Sequence, residues 1–319
     1  TVIDQHNFPD PIWDIKAHTN VSYSDDGERV YYLKGNSLGN TELWYAELVA
    51  DEEQDAELRA IASLMGHWPL DEQAGGQTPD RSSNGNDGTI NGAIAFAAGA
   101  SGNGFEFDQE NGESMILGDD PTWDRQFNAM TFSVWVQPTA DALADGLHDN
   151  LAGKMGLSGN RGWELRYMPD ADGETAGDQP GLRLVFTDDA AGSNWNGAPV
   201  MHTLSTTQLT HVAFTFDQGT VHWYINGQLA STTTGLSPTL NAANNVPLEI
   251  GNRGNAIPDK YWDGIVDDVQ LYDMALSDTH ILSLFENAGQ PILVPEPTAI
   301  AILALGVSAG LQRRRPKPW

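Results

Sequence analysis

The chain contains no cysteine. Disulfides and thiolate metal sites are therefore excluded, although export is not, because a large β-sandwich can be stable without covalent staples. Positive charge is scarce as well. Of 16 Lys and Arg residues in 319, four (Arg313, Arg314, Arg315 and Lys317) lie among the last seven positions, so twelve stand against 44 Asp and Glu elsewhere; the formal net charge is −28. Such a field repels phosphate backbones and excludes nucleic acid as a partner. It attracts divalent cations, or simply keeps the protein soluble. No His-x-x-x-His spacing suggests a zinc site, and no grouping of Ser, His and Asp supports a nucleophilic triad. A spanning helix needs about 20 apolar residues. The run from Ala299 to Leu311 has 13.

What is present points to strands. Hydrophobic residues make up 40% of the chain, and 33 Gly and 17 Pro favour short strands and tight turns over long helices. Four segments follow. Residues 1–49 form a small β segment, 50–63 an acidic, helix-prone linker, 64–289 a succession of strands, and 290–319 a tail. The chain opens at Thr1 with neither Met nor a signal peptide, which implies a start inside a longer polypeptide or after processing. In the first segment Asp26-Gly27 is a turn signal, with Val30 and Tyr32 on one side and Leu43 and Tyr45 opposite them. Ser24, Asp26 and Gly27, followed by Val-Tyr-Tyr and later Leu-Trp-Tyr-Ala, resemble a TolB-type β-propeller blade. A lone blade cannot bury both faces, so that resemblance implies the end of a truncated propeller or a piece packed on the next domain.

The main segment alternates with period two. Phe132, Val134 and Val136 share a face, and Val212, Phe214 and Phe216 occupy strand and bulge positions. Asn226-Gly227 signals a hairpin turn. Further strands are predicted at 104–107, 113–118, 162–168, 182–187, 247–251 and 262–272. One short helix is predicted from Ser277, as N-cap, to Asn287, ended by Gly289. The fold class is all-β: an antiparallel β-sandwich, with a small N-terminal β segment and a short C-terminal apolar helix.

Several runs, in order, carry a family resemblance: Gly66-His-Trp-Pro-Leu-Asp71, Asp80-Arg-Ser-Ser-Asn-Gly-Asn-Asp-Gly-Thr89, Gly104-Phe-Glu-Phe-Asp108, Met130 to Val136, His211 to Asp217, Tyr224-Ile-Asn-Gly227 and Gly264 to Tyr272. Together they resemble the LamG-like jelly-roll domain of the concanavalin A-like lectin/glucanase superfamily. Thr210 departs from it, since the family often has Trp there. The resemblance implies a binding and adhesion scaffold. Glucanases of this fold carry Glu-x-Asp-x-x-Glu on one strand face, and no such run is present; Asp263 and the Asp267-Asp268 pair have the wrong spacing. The expectation is a protein that is not an enzyme. The resemblance also implies a structural calcium ion between an early loop and a late strand, here Asp80 and Asn86 with Asp267 and Asp268. If Val269 and Leu271 face the core, Asp267 points inward with them and Asp268 outward. The alternative for Asp267 is a carboxylate that only ties down a loop through backbone N–H groups.

Two loops have the composition of a sugar site, with aromatics for stacking and polar groups for hydrogen bonds. One offers Asn194, Trp195 and Asn196, the other Arg253, Tyr261 and Trp262. The ligand is an extracellular glycan or a surface protein; the bland alternative has Trp195 and Trp262 covering the sandwich ends. Trp68, Trp135 and Trp163 read as core or sheet-surface residues.

In the tail, Pro295, Glu296 and Pro297 precede the apolar run, and Arg313, Arg314 and Arg315 follow it. This order resembles the PEP-CTERM sorting signal recognised by exosortases: a rigid recognition element, a membrane segment, and charges retained on the cytoplasmic side. It implies a secreted bacterial surface or matrix protein, with a precursor transiently anchored in the inner membrane and processed by an exosortase. A C-terminal core helix is the bland alternative for the run. The whole reads as a surface protein with a LamG-like binding module, or as an accessory domain of an extracellular carbohydrate-active enzyme.

Overall fold

A computed structural model describes residues 52–292 except 145, 158, 172–178 and 255–259, together with three strands nearer the N-terminus. The N-terminal strands and the sandwich, Arg59–Leu293, belong to separate compact units. In the first unit β1 (Ser22–Tyr23), β2 (Arg29–Gly35) and β3 (Thr41–Glu47) form an antiparallel sheet in that order. Tyr32 pairs with Trp44 and Val30 with Ala46, so Leu43 and Tyr45 stand opposite Leu33 and Tyr31 rather than opposite Val30 and Tyr32. Asp26-Gly27 lies outside the described residues, as do Pro295, Glu296, Pro297 and Arg313–Arg315. The acidic linker forms helix α1 (Glu52–Ala62).

Among the described residues, the second unit contains eighteen strands and one further helix. In chain order they are β4 (Leu64–Trp68), β5 (Gln77–Thr78), β6 (Gly88–Asn91), β7 (Ala95–Ala98), β8 (Asn103–Phe107), β9 (Ser114–Gly118), β10 (Gln126–Phe127), β11 (Ala129–Pro138) and β12 (Asp149–Lys154). There follow β13 (Trp163–Met168), β14 (Gly181–Thr187), β15 (Trp195–Val200), β16 (Thr210–Asp217), β17 (Thr220–Ile225), β18 (Gln228–Thr233), β19 (Leu240–Asn241), β20 (Leu248–Ile250), β21 (Gly264–Tyr272) and α2 (Asp278–Glu286). One sheet runs β18-β17-β16-β11-β21-β8-β7, with β4 also on β21; the other runs β15-β14-β13-β12-β20-β9-β6-β5; β10 and β19 form a small pair. Every strand pair in both sheets is antiparallel, which makes this the expected jelly-roll sandwich.

The inner faces follow the alternation. Phe132, Val134 and Val136 on β11 and Val212, Phe214 and Phe216 on β16 all point into the core. The pairing of β16 with β11 is regular, so the bulge expected on β16 is absent there. Trp163 reaches across from the other sheet, its ring 5.9 Å from Phe132 and 6.2 Å from Phe214; Phe186 meets Phe216 at 5.3 Å. The β17–β18 hairpin turns at Asn226 and Gly227, both at positive φ (50° and 73°), as a two-residue turn of this type requires.

The outer faces of the two sheets differ. That of the first sheet is covered: Ile281 and Leu284 of α2 bury against Tyr224, Ala213 and Tyr272, joined by Ala60. Ser277 caps α2, its Oγ accepting from His280 N at 3.3 Å. Trp135 lies on this side between His211 (5.3 Å) and Phe285 (5.5 Å), while Trp68 and Trp163 are core residues. The outer face of the second sheet carries charged and polar side chains instead. Among the described residues, no helix is long and apolar enough to cross a membrane.

Candidate functional site

The four residues proposed from sequence as calcium ligands each tie a loop. Asp80 accepts the N–H groups of His67 (3.0 Å) and Ser82 (2.8 Å) on one oxygen, and Asn86 N–H (2.9 Å) with Ser82 Oγ–H (2.7 Å) on the other. Asn86 gives its carbonyl to the Trp68 indole N–H at 2.8 Å. Asp267 accepts Ala100 N–H (2.7 Å) and Ser101 N–H (3.2 Å) on Oδ2 and Asp268 N–H (2.8 Å) on Oδ1. Asp268 accepts Gly289 N–H at 2.8 Å on Oδ2, while Oδ1 meets His67 Nε2 at 2.9 Å and Gln270 Nε2 at 3.0 Å.

The expected alternation along β21 fails here. Asp268 has φ 47°, and two residues of β21 oppose one of β11 between Ser133 and Trp135. This β-bulge shifts the faces by one, so Val266 and Val269 both enter the core while Asp267 turns toward the loop at 99–101. A calcium ion needs six to eight oxygens, whereas the lone pairs of this set are mostly taken by donors of the chain: Asp80 accepts two bonds on each oxygen, and Asp267 and Asp268 accept three apiece. No group of three or more Asp, Glu and His suited to a metal occurs among the described residues. The set does not fit a calcium ion.

An oxygen shell does occur elsewhere, around an ammonium. Lys154 is fully buried, and its Nζ lies 2.6 Å from Asp119 Oδ1, 2.6 Å from Val246 O, 3.0 Å from Asn244 O and 3.2 Å from Asn244 Oδ1. Asp124 Oδ1 adds a fifth oxygen at 3.4 Å.

The two loops of sugar-site composition have opposite fates. Trp262 is fully buried, its ring 6.1 Å from Tyr167, and its backbone N–H donates back to Gly251 O at 2.9 Å. That fold-back drives the indole into the core, so Trp262 offers no stacking surface. Tyr261 is 8% exposed, and Arg253 is committed to Glu164 through Nη1 at 2.5 Å. Trp195, by contrast, is 50% exposed at the start of β15. The Arg161 guanidinium lies 4.9 Å from its ring centre. The neighbouring loop is braced: Asp189 accepts Gly192 N–H (2.7 Å) and Ser193 N–H (3.0 Å), Asn194 donates to Asp188 (2.6 Å), and Asn196 Oδ1 accepts Ser237 N–H (2.8 Å). Hydrogen bonds from Ser193 hold the Asp189 carboxyl below its ordinary pKa. An exposed indole thus sits beside fixed polar groups on a rigid rim, which is what stacking against a sugar ring requires.

Alternation places Trp195 on the outer face of the second sheet, because Ala198 and Val200 of the same strand point inward. Sequence reasoning missed most of that face. Leu165 and Tyr167 are core residues of β13, so Glu164 and Arg166 face out; Leu182, Leu184 and Phe186 do the same for Arg183 on β14. Arg166 and Arg183 stand directly opposite each other across the two strands. Buried Glu164 accepts from Arg166 and from Arg253. Glu164 and Glu249 flank Gly153 on the two neighbouring strands. Burial raises the pKa of Glu249, whose oxygens accept from Ser114 Oγ (2.6 Å) and Gly254 N–H (2.7 Å). Both glutamates are buried and hydrogen-bonded, unlike carboxylates held ready for a substrate. His148 is pushed down to about 3, first by burial and then by Arg166, Lys260 and Arg253. One signal of this face was legible: the alternation of charged with apolar residues in Trp163-Glu-Leu-Arg-Tyr167 and Leu182-Arg-Leu184.

Residues 109–282 match the Laminin_G_3 family, described as the concanavalin A-like lectin/glucanases superfamily. No curated protein matches the chain in sequence. Among solved structures, the binding domain of Paraclostridial Mosquitocidal Protein 1 superposes with a TM-score of 0.55 at 18% identity, over 71% of this chain and 52% of that one. The botulinum neurotoxin serotype G binding domain gives 0.53 at 15%, over 70% and 50%. The chain thus spans about half the length of these two toxin domains. Domain 4 of AbnA, a GH43 extracellular arabinanase from Geobacillus stearothermophilus, solved in complex with arabinotriose, gives 0.51 at 22% identity, over 70% of this chain and 98% of that one. At these identities the likeness concerns the fold.

Proposed function

The chain belongs to the concanavalin A-like lectin/glucanases superfamily, and from that premise we propose that its sandwich is a non-catalytic glycan-binding module. The observation that carries the reading is Trp195, half exposed on a braced rim among Asn, Asp and Arg side chains. The module belongs to a secreted bacterial protein of the cell surface or matrix. Its tail, Pro295-Glu-Pro297 through Arg313–Arg315, is an exosortase sorting signal, and its N-terminal strands are the remnant of a propeller blade. A second reading, an accessory domain of an extracellular carbohydrate-active enzyme, draws support from the arabinanase, whose domain 4 this chain covers almost entirely.

Titration of the full chain with a panel of oligosaccharides tests the binding role. A glycan that binds wild-type protein should bind Trp195→Ala about ten-fold or more weakly; equal affinity would remove Trp195 from the site. Turnover of any of these glycans, abolished by one Asp or Glu substitution, would overturn the non-catalytic reading. Sorting is read by mass spectrometry of surface protein from a host with the cognate exosortase. Loss of everything beyond the Pro295-Glu-Pro297 region is expected, and intact Arg313–Arg315 in the extracellular fraction would contradict it.

A further inference from the structure

The edge of a β-sheet is a template for another strand, because its outward N–H and C=O groups lack partners, and folded proteins blunt such edges. Among the described residues the two large sheets end in four edge strands, β18 and β7 in the first and β15 and β5 in the second. Three of these carry a blunting device. Strand β5 is two residues long. Strand β15 contains Pro199, which has no N–H to offer. Strand β18 lies beside β15 of the other sheet, and a bulge interrupts its ladder with β17. Strand β4, paired with β21 on one side, is engaged on the other by the Asp80 loop: Arg81 N–H donates to His67 O (2.7 Å), His67 N–H to Asp80 Oδ1 (3.0 Å) and Asn84 Nδ2 to Met65 O (2.9 Å).

Strand β7 has none of these devices. Ala95-Phe-Ala-Ala98 holds no proline and no charge, and its pairing with β8 is regular. It lies within Gly88–Phe105, eighteen consecutive residues without Asp, Glu, Lys or Arg in a chain of net charge −28. Phe96 is 43% exposed, its ring 5.5 Å from that of core residue Phe105 directly opposite on β8. The turn between the two strands is held in place. Asp267 accepts Ala100 N–H (2.7 Å) and Ser101 N–H (3.2 Å), and Asp71 accepts Asn103 N–H (2.7 Å). The edge is thus fixed before a partner arrives, which lowers the cost of pairing. Gly99 N–H donates to Gly102 O across the turn at 3.1 Å. Alternation from that pair turns the main-chain groups of Ala97 toward β8, and those of Phe96 and Ala98 toward the open edge.

We propose that β7 pairs antiparallel with β7 of a second copy of this chain, about a two-fold axis at Phe96, so that one sheet continues through both sandwiches. In this register Phe96 opposes its own counterpart, Ala95 opposes Ala97, and Ile94 opposes Ala98. Directly opposed residues share a face, so the two exposed rings cover each other. The same patch serves on both copies, as a two-fold interface demands. Charge selects this strip for self-pairing: an acidic chain repels its copies wherever carboxylates meet, and β7 brings none to the seam. The proposal is independent of the glycan reading.

Sedimentation velocity of the full chain, over a range of protein and salt concentrations, is the test. The expected result is a monomer–dimer equilibrium that tightens as salt screens the repulsion between two acidic copies. Phe96→Lys sets two ammonium groups opposite each other, and Ala98→Pro removes an outward donor without touching the β8 ladder. Each variant, folded by circular dichroism, should raise the dimer dissociation constant about ten-fold or more. Because the chain has no cysteine, Phe96→Cys supplies a single thiol. Opposed residues of such a pair lie about 5.5 Å apart at Cα, within reach of a disulfide, so mild oxidation should link two chains through it. Leu229→Cys, similarly exposed on β18, should stay unlinked. A chain that stays monomeric at every protein and salt concentration overturns the proposal. So does a dimer that survives both Phe96→Lys and Ala98→Pro, or equal linking of the two cysteine variants.

Discussion

His67 Nε2 and Asp268 Oδ1 lie 2.9 Å apart inside the domain, joining β4 to β21 across 201 residues of sequence. Both side chains are 3% exposed. The carboxylate also accepts from Gln270 and Gly289, so Asp268→Ala takes away the acceptor of His67 Nε2 and of Gly289 N–H and one of the two acceptors of Gln270 Nε2. Its expected cost is about 3 kcal/mol, measured by urea denaturation. Asp268→Asn should cost less, since asparagine keeps an acceptor and tolerates the positive φ of the bulge.

Acid should loosen the fold through its histidines. His148 is pushed down to about 3, and His211 to about 4, from an ordinary 6.5, in both cases chiefly by burial. Between those values and 6.5 the unfolded chain binds more protons than the folded one, so this contribution is present above 6.5 and lost as pH falls. Asp267, pushed up to about 7 by burial, acts in the opposite sense. Comparing variants separates the two: His148→Gln should flatten the fall in melting temperature between pH 6.5 and pH 4, and an unchanged profile would contradict the assignment.

Calcium should be without effect on the Asp80 and Asp267 loops. Their carboxylate oxygens are engaged by N–H and O–H donors, so millimolar Ca²⁺ added to EDTA-treated protein is expected to leave its melting temperature unchanged. A rise that disappears in Asp80→Ala would show that those hydrogen bonds yield to a cation.

The two tryptophans named as sugar-stacking candidates should separate cleanly. Trp262→Ala removes a wholly buried ring and is expected to cost about 3–5 kcal/mol. Trp195→Ala should stay within about 0.5 kcal/mol of wild type in stability, its effect confined to ligand binding.

Much of the sandwich was legible because core-facing strands alternate visibly. Phe132, Val134 and Val136 announce β11, and Ser277 announces the start of α2. Strand β12 was not predicted: Asp-Asn-Leu-Ala-Gly-Lys has no apolar alternation, and a bulge interrupts its pairing with β13. The orientation of Asp267 was misjudged because one residue at positive φ resets the faces of the whole strand. Composition placed Trp195 and Trp262 in the same class, since loop sequence carries no sign of which ring folds inward. The arginine face escaped notice because its members come from β13, β14 and the loop after β20, and only cross-strand register brings them together.

The buried ammonium of Lys154 has a further consequence. An ion bound from the medium leaves when the medium is diluted or a chelator is added, and a competing ion can replace it. A cation attached to the chain by its own side chain does none of these things. The oxygens of Asp119, Asn244 and Val246 are filled whenever the domain is folded. This corner of the sandwich therefore needs no cation from the medium to hold these oxygens together.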